Sequence, residues 1–153
     1  MTSLDLKIPP VVVWIVLAGA IVACARLFPT AGYPFPGHRL AAGGLGLLGI
    51  TIVLAGVREF RRARTTVSPL ATAQVSSVVT GGIYHYTRNP MYLGMALGLT
   101  GVAVWNASLP GLGFIPVFCG YLTAFQIKPE ERILLARFGP SYAAYLGRVR
   151  RWL

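Results

Sequence analysis

The stretch NPMYLGMALGLTGVAVWNASLPGLGFIPVFCGYLTAFQI (Asn89–Ile127) contains no formally charged residue. A helix crosses a bilayer with about 20 apolar residues, so this run is too long for one crossing. Asn106, Ser108 and Pro110 punctuate its middle. The pattern predicts a hairpin of two short helices near 91–106 and 111–127, with Pro116 kinking the second.

Working outward, Leu40–Val57 is uncharged between Arg39 and Arg58. As a helix it is roughly 27 Å long, close to the hydrocarbon thickness of about 30 Å. Val11–Phe28 is apolar apart from Arg26. Lys7 and the Ile21–Cys24 run resemble a lipoprotein leader, but the segment reads as a membrane span. The expected fold is all-α: an integral membrane helical bundle of about four transmembrane helices (11–28, 40–57, 91–106, 111–127) with a cytoplasmic C-terminal helical tail.

The composition agrees. The 153 residues are 55% hydrophobic and only 12% charged, about half the charge of a soluble domain, and the mean hydropathy is +0.64. A soluble enzyme, a disordered tail and a disulfide scaffold are poor fits, and residues 1–153 read as a single domain. Cys24 and Cys119 stand alone in apolar segments, so neither a disulfide nor a metal site is expected. The net charge of +10 comes mainly from arginines grouped at 58–64 and 148–151, beside apolar segments. That distribution suits membrane lipid headgroups, and no nucleic-acid partner is expected. The turn at 106–110 has no charge, so the positive-inside rule places the 58–88 loop and both termini in the cytoplasm, at the inner membrane if the cell is bacterial. Thr65–Thr87 is too polar to span. Glu130–Leu153 reads as a tail broken at Gly139-Pro140.

Four motifs stand out. Gly44-Leu-Gly-Leu-Leu-Gly49 has the spacing of a dinucleotide loop but lies inside a span, where close helix packing explains it. Gly94-Met-Ala-Leu-Gly98 admits either a neighbouring helix or a flat ligand. Gly81-Gly-Ile-Tyr-His-Tyr-Thr-Arg-Asn-Pro-Met-Tyr-Leu-Gly94 gathers three tyrosines, His85, Arg88 and Asn89 at the mouth of a span. Ile127-Lys-Pro-Glu-Glu-Arg132 places half of the four acids where the last span meets water. Helix-start chemistry and interfacial anchoring account for each residue type separately. Together they suit a ligand carrying an ammonium, a carboxylate and a cation that aromatic rings can face. S-adenosylmethionine carries all three.

The chain resembles the isoprenylcysteine carboxyl methyltransferase and phospholipid methyltransferase superfamily of membrane enzymes. The resemblance runs from about Thr65 to Leu153. It rests on Gly82–Gly94, on Glu130-Glu131-Arg132, on Phe138-Gly139, Tyr142 and Tyr145, and on the Arg148–Trp152 end. It implies an S-adenosylmethionine-dependent methyltransferase with a cofactor region at 65–94 and 128–153. Its product would be S-adenosylhomocysteine. By the same resemblance Glu130, Glu131, Tyr84, Tyr86, Pro90 and Gly94 are cofactor-binding, and Arg88, Asn89 and Tyr92 lie at the reacting end. His85 is the histidine nearest the site and the one imidazole placed to act as a base. Met91 and Gly98 would line the approach of a lipophilic acceptor. Isoprenylcysteine enzymes usually have His where this chain has Asn89, whereas Asn-Pro-Met-Tyr also resembles phosphatidylethanolamine methyltransferases. The acceptor therefore stays open between a prenylcysteine carboxylate, a phospholipid amine and a small thiol. The alternative of another class is a non-enzymatic small membrane protein.

Overall fold

The computed structural model describes residues 5–63 and 78–153. Among them no strand forms, and the chain is a bundle of helices. They are α1 (Pro10–Leu27), α2 (His38–Arg62), α3 (Pro90–Trp105), the short α4 (Leu109–Leu112), α5 (Phe114–Leu122) and α6 (Lys128–Arg148). A π-helical turn, Thr123–Ile127, joins α5 to α6. Arg64 and most of the expected Thr65–Thr87 loop lie outside the described residues.

Among the described residues three helical stretches are long and apolar enough to cross a membrane: α1, α2 and the run Leu109–Arg148. The fourth expected span, α3, is apolar but has 16 residues, about 24 Å of helix. The last expected span runs into the tail through the π-helical turn, and the tail breaks at Gly139-Pro140 as expected. Prolines explain the irregularities of this run. Pro116 has no N–H for the carbonyl of Leu112, and the helix breaks at Gly113 beside it. Pro129 deprives the Phe125 carbonyl in the same way, and here the turn widens to π instead of ending. Pro140 bends α6 at Gly139, whose φ of 53° favours glycine. The uncharged part of the run stops at Ile127. Lys128, Glu130, Glu131 and Arg132 follow at once, so α6 lies beyond the spanning segment.

The freed Phe125 carbonyl does not stay empty. Leu6 donates its backbone N–H to it at 3.0 Å, Gln126 Nε2 donates to the Ile8 carbonyl at 2.7 Å, and Arg132 pairs with Asp5 at 2.8 Å. The N-terminal segment is thereby clipped to the far end of the chain.

The two glycine motifs are where α2 and α3 touch. Ala42, Gly46, Gly49, Val53 and Gly56 recur along one face of α2, and Gly94 and Gly101 face them from α3. A Cβ on Gly94 would collide with the Gly49 carbonyl, and one on Gly49 would lie 2.5 Å from the Gly94 carbonyl. Backbone therefore packs on backbone, the arrangement small residues permit in lipid. A second interface buries Ile21 of α1, Leu99 and Ala103 of α3, and Phe118 and Leu122 of α5. Trp14 Nε1 adds a hydrogen bond to the Met95 carbonyl at 2.8 Å.

A candidate active site at one mouth of the bundle

All four acids of the chain, Asp5, Glu59, Glu130 and Glu131, lie at the end where α2 stops and α3 and α6 begin. Pro90 opens α3, where a missing N–H costs nothing. Asn89 holds the N-cap position, yet its side chain does not cap; Nδ2 donates to the Arg151 carbonyl at 2.9 Å. The Arg88 N–H donates to the Arg150 carbonyl at 3.0 Å, and Thr87 Oγ1 donates to Arg151. Val149 leaves α6 in an extended conformation. The last residues thus run back across the lip as a strap, anchored at its tip by Trp152 Nε1 on Thr123 Oγ1 at 3.1 Å.

The adjacent glutamates do different things. Successive helical positions are about 100° apart, so Glu130 and Glu131 face different neighbours. Glu131 is held by two cations: Arg151 donates through Nε at 3.1 Å and Nη2 at 2.7 Å, and Arg88 Nη2 lies 3.2 Å away. The Glu130 carboxyl turns inward and accepts the Tyr92 hydroxyl at 2.6 Å. Asp5 pairs with Arg132, Glu59 with Arg62 and Glu131 with Arg88 and Arg151. Among the described residues Glu130 alone of the four acids has no ion pair. Burial pushes its carboxyl up to about 7; the Tyr92 hydrogen bond opposes the rise and the Glu131 charge adds to it.

Aromatic hydroxyls surround this pair of acids. Tyr84, on the turn Gly82–His85, is buried, stacks edge-on against Phe60 at 5.5 Å and offers its carbonyl to Tyr145 Oη at 2.8 Å. Burial, then Tyr145, Glu130 and Glu59, hold the Tyr84 hydroxyl well above its ordinary value. Burial also pushes Tyr145 up to about 12, with Arg88 opposing. Two buried polar atoms here, Tyr84 Oη and Arg88 Nε, have no hydrogen-bond partner among the described residues.

A second compartment lies on the other side of Glu131. It is a cleft of about 560 Å³ lined by the cations Lys128, Arg132 and Arg151, the acids Asp5 and Glu131, and the apolar Ala124, Phe125, Leu135 and Leu146. Glu131 and Arg151 thus form a partition between the tyrosine nest and the cleft.

Of the residues singled out from sequence, the fold brings together Arg88 with Glu131, Tyr92 with Glu130, and Asn89 with the strap. His85 is exposed, and Tyr86 is 77% exposed. Pro90 is buried, and Met91 packs with it against Gly56 of α2. Gly94 faces the Gly49 backbone, and a methyl group on Gly98 would lie 3.7 Å from the Trp14 indole, in ordinary contact with it. Sequence reasoning passed over Glu59, whose carboxyl lies against Gly82, and Arg151 as a partner for Glu131. Tyr142 and Tyr145 share a helix face by their i, i+3 spacing, a signal that could have paired them with the nest. Among the described residues no group of three metal-ligating side chains forms.

Fold and site define an α-helical membrane protein with a charged, tyrosine-lined nest at one mouth. The phospholipid methyltransferase family matches residues 38–141, which take in α2 to α5, the first part of α6, and Glu59, Glu130 and Glu131, and the chain belongs to that family. It is a membrane methyltransferase. An uncharacterized protein from Haemophilus influenzae is 42% identical over 64 residues, 41% of this chain and the whole of that relative. No solved structure matches. The family match ends at Ser141, so Tyr142, Tyr145 and the strap lie outside it.

Proposed function

We propose that the chain methylates the amine of a membrane phospholipid, using S-adenosylmethionine, at the cytoplasmic mouth of the bundle. The observation that carries this reading is Glu130, a carboxyl in a chain of net charge +10 that no cation among the described residues neutralises. An amine acceptor arrives protonated and needs a base before it can attack; a carboxylate or thiolate acceptor does not. A group that titrates at about 7 suits that role at neutral pH. Exposed His85 is less well placed for it. The family's own description points to the same acceptor class.

The nest fits the amino-acid end of the cofactor. Arg88 Nε is a buried donor with no hydrogen-bond partner among the described residues, so it matches a carboxylate. S-adenosylmethionine supplies, when bound, a methyl group activated by a sulfonium. The residues of the chain do the rest. The Tyr92 hydroxyl steadies the Glu130 carboxylate, which takes the proton from the acceptor amine and becomes the neutral acid. Tyr84 and Tyr145 wall the nest, and the strap holds Arg88 and Asn89 in place. Excluding water and fixing orientation are the main contributions left to the protein.

The test is transfer of labelled methyl groups from S-adenosylmethionine into a lipid extract by purified protein in nanodiscs. Label should appear in an N-methylated phospholipid and resist base. Label released by base as methanol would mark a carboxyl acceptor and overturn the amine reading. Absence of label in any acceptor would overturn the activity itself.

A further inference from the structure

The cleft beyond the Glu131–Arg151 partition takes no part in the chemistry above. Its make-up differs from that of the nest. It lies at the depth where the uncharged segment ends, since Ala124 and Phe125 precede Lys128 directly. Its two acids are already engaged, Asp5 by Arg132 and Glu131 by Arg151 and Arg88. Lys128 makes no ion pair among the described residues, so the lining carries one excess positive charge. A lining of this charge favours an anionic group.

Its other wall is apolar. Ala124 is exposed and, with Phe125, continues the surface of the uncharged segment; Leu135 is exposed on α6, beyond Arg132. An anion that prefers this wall must carry a hydrophobic tail. The volume of about 560 Å³ is too large for a lone small ion and suits a headgroup with the start of its chains. Arg132 uses Nη2 on Asp5 and keeps further N–H groups available. An ammonium and a guanidinium at successive turns of one helix face suit the several oxygens of a phosphate.

We propose that this cleft seats a phospholipid, its phosphodiester held by Lys128 and Arg132 and its chains laid along Ala124 and Phe125. The headgroup beyond the phosphate then points at the Glu131–Arg151 partition, toward the nest. The inference rests on the proposed function for the reason a lipid enters. The seat itself is tested without any methyl transfer.

Purified full-length protein in detergent, with no cofactor, is incubated with dioleoyl phosphatidylethanolamine, dioleoylglycerol or inorganic phosphate and examined by native mass spectrometry. The wild type should retain one phospholipid, and dioleoylglycerol about tenfold less, the effect expected of one charge-assisted contact. Lys128→Glu should lower phospholipid retention by about tenfold or more and Lys128→Arg should restore it. Lys128→Gln, with a melting curve unchanged from wild type, separates lost binding from lost folding. Equal retention of dioleoylglycerol, undiminished retention by Lys128→Glu and Lys128→Gln, or displacement of the lipid by millimolar inorganic phosphate would each overturn the seat. In nanodiscs, Lys128→Glu should raise KM for the lipid acceptor and leave kcat nearly unchanged. An unchanged KM removes the cleft and leaves the methyltransferase reading standing. Selective retention in a protein that transfers no methyl group removes that reading and leaves the cleft.

Discussion

Where the α1–α2 connection meets the turn after α3, the bundle is closed mainly by backbone. Tyr33 N–H donates to the Ala107 carbonyl at 2.7 Å, Gly32 bridges to Ser108, and Ser108 Oγ accepts the Gly111 N–H. Arg39 lies over the Trp105 ring at 5.8 Å, and no acid is present there. At the opposite mouth four acids, several arginines and a tyrosine nest do the closing. Backbone bonds make few demands on side-chain identity and have no charge to exchange. An ion-pair closure can be reorganised by any ligand that brings its own charges. One end holds the helices together; the other handles charge.

The contrast can be tested most severely at Glu130. Glu130→Gln should lower methyl transfer by about a hundredfold or more, whereas Arg39→Gln at the far end should change it little. Initial rates in nanodiscs decide, and an equal loss in both would erase the distinction. In the wild type the rate should climb about tenfold per pH unit below about 7 and level off above it, and the Gln variant should lose that slope. Stability should show the opposite trend. The folded chain keeps the Glu130 proton from the ordinary 4.5 up to about 7. That contribution is therefore complete below 4.5 and is lost as pH rises through about 7. Melting curves of the two proteins across this window check the sign.

Glu131→Ala should act chiefly on stability. It strands Arg88, whose side chain is 11% exposed, and releases the strap; removing one member of such a pair costs about 3 kcal/mol. Denaturation in detergent measures it, and a change under about 0.5 kcal/mol would mean the mouth does not depend on its charges. Gly94→Ala comes next. The new methyl meets the Gly49 backbone, which cannot rotate away, and about 1–3 kcal/mol should be lost, read as a lower Tm. His85→Ala should have the smallest effect, within about twofold on rate, because its imidazole is exposed and lies outside the proposed proton path. A loss of a hundredfold there would move the base from Glu130 to His85.

The helices were legible because uncharged runs bounded by arginines leave few alternatives in a chain this apolar. The continuity of the last span with the tail was not. Pro129 ahead of two acids has the pattern of a fresh helix start, and only the π turn and the distant Leu6 N–H make the turn continuous. Within the site, the weight of Glu130-Glu131 was visible from their position beside a membrane span. Their division of labour was not, since it depends on which way each faces when α6 packs on α3. Arg151 was hidden for a related reason. In Arg148-Val-Arg-Arg151 every cation has the same look, and only the fold selects the one that reaches Glu131. The glycines of α3 were ambiguous between a ligand and a helix until Gly49 and Trp14 were seen facing them.

The clip formed by Asp5, Leu6 and Ile8 has a bearing on biosynthesis. These residues leave the ribosome well before their partners at Phe125, Gln126 and Arg132, which are made more than a hundred residues later. During translation the α1 segment can enter the bilayer, but its leading end has nothing to fasten to until the last helix is in place. Closure of the ring is a late event of assembly, and a chain interrupted before Phe125 would leave α1 unanchored at the very mouth where the charges gather.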